Sequence, residues 1–186
     1  MSLEADELER QWIGRVAQGD LQAFELLYRD YHPRLWRFLG RTIHRPHLAE
    51  EVLNDTMHVV WRKAVSFDGT CKLSTWIFSI AHRTALRALR GSEDPEESDA
   101  DEELVSNEPG PEDTAIASQQ RVLLRRAMED LTGQQRNVVE LAYFHDFGYR
   151  DIAEILACPI DTVKTRMFLA RRKLKAILDA SQEDIA

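Results

Sequence analysis

The sequence predicts an all-α protein of two small helical domains joined by an acidic linker. Three observations carry this. Apolar residues recur at helical spacing through both ends of the chain. No segment alternates polar and apolar residues between turn signals, as a strand would. Between Gly91 and Ala115 stand eleven Asp and Glu and no Lys or Arg, interrupted by Pro95, Pro109 and Pro111. With Leu104 and Val105 as its bulky apolar residues, that stretch buries too little surface to offset its chain entropy. The expected division is residues 1–90, a linker at 91–114, and residues 115–186.

Residues 5–18 form the first expected helix, with Leu8, Trp12, Ile13 and Val16 on one side. Gly19 ends it and Asp20 caps the next. The second runs from Leu21 to Tyr31, its stripe being Ala23, Phe24, Leu27, Tyr28 and Tyr31. Pro33 suits the first turn of a third helix carrying Leu35, Trp36, Leu39 and Ile43. Arg45-Pro46 breaks that helix. A longer one from His47 to Val65 buries Ala49, Val52, Leu53, Thr56, Val60 and Ala64, and turns Glu50, Glu51, Asn54 and Asp55 outward. Phe67-Asp68-Gly69-Thr70 reads as a turn, after which Ser74 or Thr75 can cap a helix to Arg90. Its stripe is Ile77, Ile80, Ala81, Thr84 and Ala88, leaving His82, Arg83, Arg87 and Arg90 on the exposed side.

Beyond the linker, one helix is expected from Ala115 to Leu131. Thr132-Gly-Gln-Gln135 is a capping box that opens another with Val138, Val139, Leu141, Ala142 and Phe144. From Gly148 to Lys175 two periodic runs flank Ala157-Cys158-Pro159. Ile152, Ala153 and Leu156 mark the first, and Val163, Met167, Ala170 and Leu174 the second. Pro159 cannot extend the first helix, and Asp161 can cap the second. This is the helix-turn-helix pattern, and its second helix offers Lys164, Thr165, Arg166, Arg171, Arg172, Lys173 and Lys175 against one acid, Asp161.

A net charge of −8 is unexpected for a nucleic-acid binder, but setting the eleven linker acids aside leaves the rest at +3. The two cysteines, Cys71 and Cys158, sit in no metal-ligand cluster, and His44 and His47 lack partners for one, so no metal or other cofactor is expected. No apolar run approaches a membrane span, and the acidic N-terminus is unlike a signal peptide, which points to the cytoplasm. P-loop, nucleophile-elbow and Gly-rich signatures are absent, so no catalytic activity is expected.

Taken together, the motifs resemble the extracytoplasmic-function (ECF) sigma factors of bacterial RNA polymerase. Ala23-Phe24, Leu27-Tyr28, Tyr31, Leu35 and Phe38 resemble the opening of sigma domain 2. The run Ala49 to Thr56, with Val60-Trp61, is similar to the polymerase-binding helix, and Phe67-Asp68-Gly69 with Ser74 to Ala81 to the promoter-melting segment. Leu131 to Arg136, Tyr149 to Leu156 and Thr162 to Arg166 resemble sigma domain 4. The resemblance implies that Glu51, Asn54 and Asp55 dock on the β′ clamp helices. It implies that Lys72, Trp76, His82, Arg83 and Arg87 hold the −10 element, with an unstacked base beside Trp76. It implies that Thr162, Lys164, Thr165, Arg166, Phe168, Arg171 and Arg172 meet the −35 element while domain 4 contacts the β flap.

The family often has Asn where Arg83 stands and Asp where Arg87 stands, so a firmer phosphate grip is expected here. Leu169 replaces a frequent basic residue. An anti-sigma factor, in the family often membrane-anchored, is an implied partner, and a stress- or signal-responsive regulon an implied target. The rival readings are a stand-alone helix-turn-helix regulator with a sensing N-terminal half, and an adaptor that binds only protein.

Overall fold

A computed structural model describes residues 3–91, 124 and 126–183. The expected linker and the first part of the helix expected from Ala115 lie outside the described residues. The described elements are all helical: α1 (Leu3–Val16), α2 (Leu21–Ile43), α3 (Pro46–Lys63), a 3₁₀ turn (Ala64–Ser66), α4 (Leu73–Gly91), α5 (Gly133–Tyr143), α6 (Tyr149–Ile155) and α7 (Ile160–Glu183). Residues 126–129 are also helical, ahead of α5.

Asp20 caps α2 as expected, its Oδ1 accepting from the amides of Gln22 at 2.9 Å and Ala23 at 3.1 Å. The expected break before Pro33 does not occur. One helix continues from Leu21 to Ile43, with Pro33 inside it and exposed. Pro33 has no N–H to donate to the preceding turn, which costs about 3 kcal/mol in a helix interior. Burial on both sides of it offsets that loss. Tyr31, Leu35, Phe38 and Leu39 are fully buried, each apolar side chain of this size contributing about 1.5–3 kcal/mol.

The buried residues of α2 are Ala23, Leu27, Tyr31, Leu35, Leu39 and Ile43, at intervals of four, with Phe38 and Gly40 beside them. Four residues overshoot one helical turn by about 40°, so this stripe winds about 200° around the helix. Its start faces α1 and α3; its end reaches α4 and α5.

Several other local expectations need correction. Leu8, assigned to the apolar side of α1, is exposed, whereas Glu9 is buried, 3.4 Å from Arg34 of α2. Burial raises the pKa of Glu9. Pro46 opens α3 instead of preceding it, which suits the first helical position. Ser74 and Thr75 lie within the first turn of α4, which begins at Leu73, and neither caps it. Asp161 likewise sits inside the first turn of α7, where it pairs with Lys164 at 3.0 Å. The capping box of α5 is present, with both Thr132 and Gln135 engaged.

Replacing Pro33 with Ala restores the missing amide without changing a buried surface. Stability should rise by about 2 kcal/mol, the helix-interior penalty less the entropy that Pro removes from the unfolded chain. The measure is the denaturant midpoint at unchanged slope; a lower midpoint would mean that the backbone geometry Pro33 fixes is needed for packing.

Candidate nucleic-acid and polymerase interfaces

Three polar surfaces emerge from this packing. The first is on α3. Ala49, Val52, Leu53, Thr56, Met57 and Val60 are buried, so Glu50, Glu51, Asn54 and Asp55 face outward together. Asn54 is steadied by Tyr28, whose hydroxyl donates to its Oδ1 at 3.4 Å. The result is an exposed acidic face on α3, tied to α2 through Asn54.

The second surrounds the turn into α4. Gly69 takes a positive φ of 73°, and Asp68 Oδ1 accepts from the Thr70 amide at 3.0 Å and its hydroxyl at 2.8 Å. These bonds hold the Asp68 carboxyl below its usual pKa. Trp76 is half-buried with its ring centroid 5.5 Å from that of Phe67. Lys72, Arg83 and Arg87 are exposed, although Arg83 bends back to Ser79, with its Nε 3.1 Å from the Ser79 carbonyl oxygen. His82 does not join this exposed face. It is buried, at 6% exposure, because α4 is covered there by the second half of the chain.

The third is the helix-turn-helix, formed by α6 and α7. Ile152, Ile155, Val163, Met167 and Ala170 are buried between the helices. Ala157 turns the chain in the left-handed region at φ 50°, and the Cys158 amide donates to the Ala153 carbonyl at 3.0 Å. The Pro159 carbonyl accepts from Thr162 and Val163, which starts α7. Lys164, Thr165, Phe168, Arg171 and Arg172 are exposed, Phe168 to 64%. Thr162 and Arg166 are half-buried, and Arg166 Nη1 lies 3.6 Å from Cys158 Sγ. An exposed aromatic ring among cations on one helix suits base and phosphate contacts.

What the sequence did not reveal is that the two halves touch. The ring centroid of Phe78 lies 5.0 Å from those of both His145 and Phe147. Arg41 Nη1 donates to Glu140 Oε2 at 2.6 Å, and the Thr75 hydroxyl to Asp151 Oδ1 at 3.0 Å. Arg136 Nη1 is 2.6 Å from His44 Nε2. Glu140 interrupts an apolar run and no periodicity predicts its burial; His145 follows the last helical stripe. Nearby, burial and then hydrogen bonding to Glu154 push the Cys71 thiol up to about 12. Among the described residues no cluster of potential ligands could hold a metal ion.

The pieces match known proteins. Residues 27–93 match Sigma-70 region 2, and residues 121–174 match Sigma-70, region 4. The ECF RNA polymerase sigma factor SigK of Mycobacterium ulcerans is 30% identical over 175 residues, spanning 91% of this chain and 92% of its own. This chain belongs to the ECF sigma factors. It is similar also to the ECF sigma factor RpoE of Cereibacter sphaeroides, 33% identical over 160 residues, with 84% and 86% of the two chains covered. Among solved structures, the sigma factor RpoE of Bartonella quintana in complex with the anti-sigma factor NepR shares 26% identity at a TM-score of 0.64. That match covers 84% of this chain and 96% of the other. CnrH, solved with the cytosolic domain of CnrY, has a TM-score of 0.68 at 20% identity over 93% of this chain and 98% of its own, a likeness of fold. As a sigma factor, the protein regulates transcription and is not itself an enzyme.

His82 supplies a pH test of the packing. Burial first, then the charges of Arg166 and Arg83, hold its pKa below the ordinary 6.5. As pH falls the unfolded chain therefore protonates first. The stability that neutral His82 provides is fully present above about pH 6.5 and is lost as pH falls toward the folded value. His44, lowered by burial and Arg136, acts with the same sign. Between about pH 7 and about pH 5 the thermal midpoint of the native chain should fall more steeply than that of His82→Gln. Parallel curves would mean that His82 does not titrate in this window.

Proposed function

We propose that this sigma factor binds core RNA polymerase through α3, melts and holds the −10 element with α4, and reads the −35 element with α7. The observation that carries this is the separation of charge on one scaffold. Glu51, Asn54 and Asp55 form an acidic face on α3, while Lys72, Arg83 and Arg87 on one half and Lys164, Thr165, Phe168, Arg171 and Arg172 on the other present cations and an aromatic ring. The acidic face suits the β′ clamp helices, and domain 4 the β flap. Trp76, with its ring against Phe67, would border a pocket for an unstacked base in this reading. Arg166, half-buried on α7, adds to the −35 surface, and His82 lies buried beneath the −10 surface. An anti-sigma factor is the matching regulator, as one accompanies the Bartonella relative. No helix among the described residues is long and apolar enough to cross a membrane. We place its action in the cytoplasm, beside polymerase, on a signal-responsive regulon.

Two substitutions test the two kinds of surface. Glu51→Lys with Asp55→Lys sets like charges against a basic site and should weaken core binding at least about tenfold, about 1.4 kcal/mol, with helicity unchanged. Unaltered affinity in a pull-down with core enzyme would remove α3 from the interface. Arg166→Ala should cost about 1–3 kcal/mol at the preferred −35 sequence and relax preference at one base pair, whereas Lys164→Ala should weaken all sequences alike. Run-off transcription over a panel of −35 variants separates them; full selectivity in Arg166→Ala would mean that α7 meets DNA by another face.

A further inference from the structure

We propose that Arg10 of α1 is a further DNA contact, which grips the phosphate beside the unstacked base at the turn before α4. The inference rests on the reading above that this turn holds the −10 element. Arg10 occupies an exposed position on α1, and its side chain reaches the turn. A β-carbon placed on Gly69 would stand 3.4 Å from Arg10 Nη1. The guanidinium thus lies beside the segment that carries Phe67, Lys72 and Trp76.

Packing puts it there. Ile13 and Val16 are buried, and α1 packs against the 3₁₀ turn and α4 as well as α2. Glu9 turns inward to Arg34 of α2. Arg10 follows about 100° farther round the helix, outside the core and on the side of the turn. A buried helix face therefore fixes the base of a side chain whose tip is free.

The charge of that tip is unspent. Arginine has five N–H donors and no acceptor. Asp6 and Glu7 stand four and three residues before Arg10, the spacings at which helical ion pairs form. Asp68 adjoins Gly69 in the turn. Among the described residues Arg10 forms an ion pair with none of these and donates no hydrogen bond to the turn. Asp68 instead accepts from Thr70, and Glu9 is taken by Arg34.

Electrostatics gives the free cation a use. A single strand brings one negative charge per nucleotide, and at this turn it meets the carboxylate of Asp68. Lys72, Arg83 and Arg87 all lie beyond the turn in sequence, and Arg83 is bent back onto Ser79. Arg10 supplies a cation from α1, next to the residue that follows Asp68. Its planar fork suits two oxygens of one phosphate. Such a contact positions the strand and carries no sequence information, so base preference stays with the pocket.

The test uses holoenzyme assembled from core polymerase and the full chain. The probe is a single-stranded deoxyoligonucleotide enriched on native holoenzyme from a randomised pool, kept only if Trp76→Ala weakens its binding. Arg10→Gln removes the charge and should bind the probe about three- to tenfold more weakly. The slope of log affinity against log salt should flatten by about 0.7, the value for one phosphate of a single strand. Arg10→Lys should retain most of that slope. A neutral methylphosphonate is then moved along the probe, one linkage at a time. At one linkage it should weaken native binding and leave Arg10→Gln unaffected. Core affinity and thermal midpoint should match those of the native chain. Unchanged probe affinity and slope in Arg10→Gln would overturn the contact. A loss that follows weaker core binding or a lower midpoint would overturn it too, as the sign of a structural role. Altered base preference at the native slope would overturn the phosphate assignment. If the native holoenzyme enriches no probe sensitive to Trp76→Ala, the −10 reading itself fails.

Discussion

The continuity of α2 through Pro33 is the constraint on which the rest of the structure depends. A straight apolar stripe would face one side. Spacing by four residues makes the stripe wind, so that one rod serves both halves of a single continuous core. Ala23, Leu27 and Tyr31 are fully buried where α2 packs with α1 and α3. Phe38, with Phe78, then meets His145 of the second half, and Arg41 meets Glu140. A break at Pro33 would have uncoupled these tasks. Propensity argues for the break and burial against it, and burial is the larger quantity.

Charge is sorted by element, which a whole-chain value conceals. The net −8 belongs to one acidic stretch of sequence, while α4 and α7 expose cations and α3 exposes carboxylates. Arginine predominates among those cations. Its planar fork can stack as well as bond, as Arg41 does over the Phe144 ring at 4.1 Å and Arg171 near Tyr143 at 5.7 Å. The same residue type therefore serves the packing of the halves and their outer surfaces.

Helical class, the helix-turn-helix and the acidic face of α3 were legible in the sequence because each is a local pattern. Ile152, Val163, Met167 and Ala170 are buried where periodicity put them, and the Thr132 capping box is formed as written. Two kinds of feature were not legible. Pro33 misled because local preference was outweighed by packing that local sequence does not encode. His82 misled for a related reason: its place on α4 is exposed if domain 2 stands alone, and buried once residues more than sixty positions away fold against it. Glu140 and His145 gave no warning, since their burial depends on Arg41, Phe38 and Phe78 from the other half.

The thiol of Cys71 has a consequence of its own. Burial and the neighbouring carboxylate of Glu154 raise its pKa to about 12. The thiolate is the form that attacks peroxides and disulfides, and a pKa raised this far above neutrality leaves the thiol form predominant. Cys71 is therefore held mainly as the less nucleophilic thiol at neutral pH. The carboxylate of Glu154 on α6 thus sets the chemistry of a sulfur that sits in the turn before α4, on the other half of the chain.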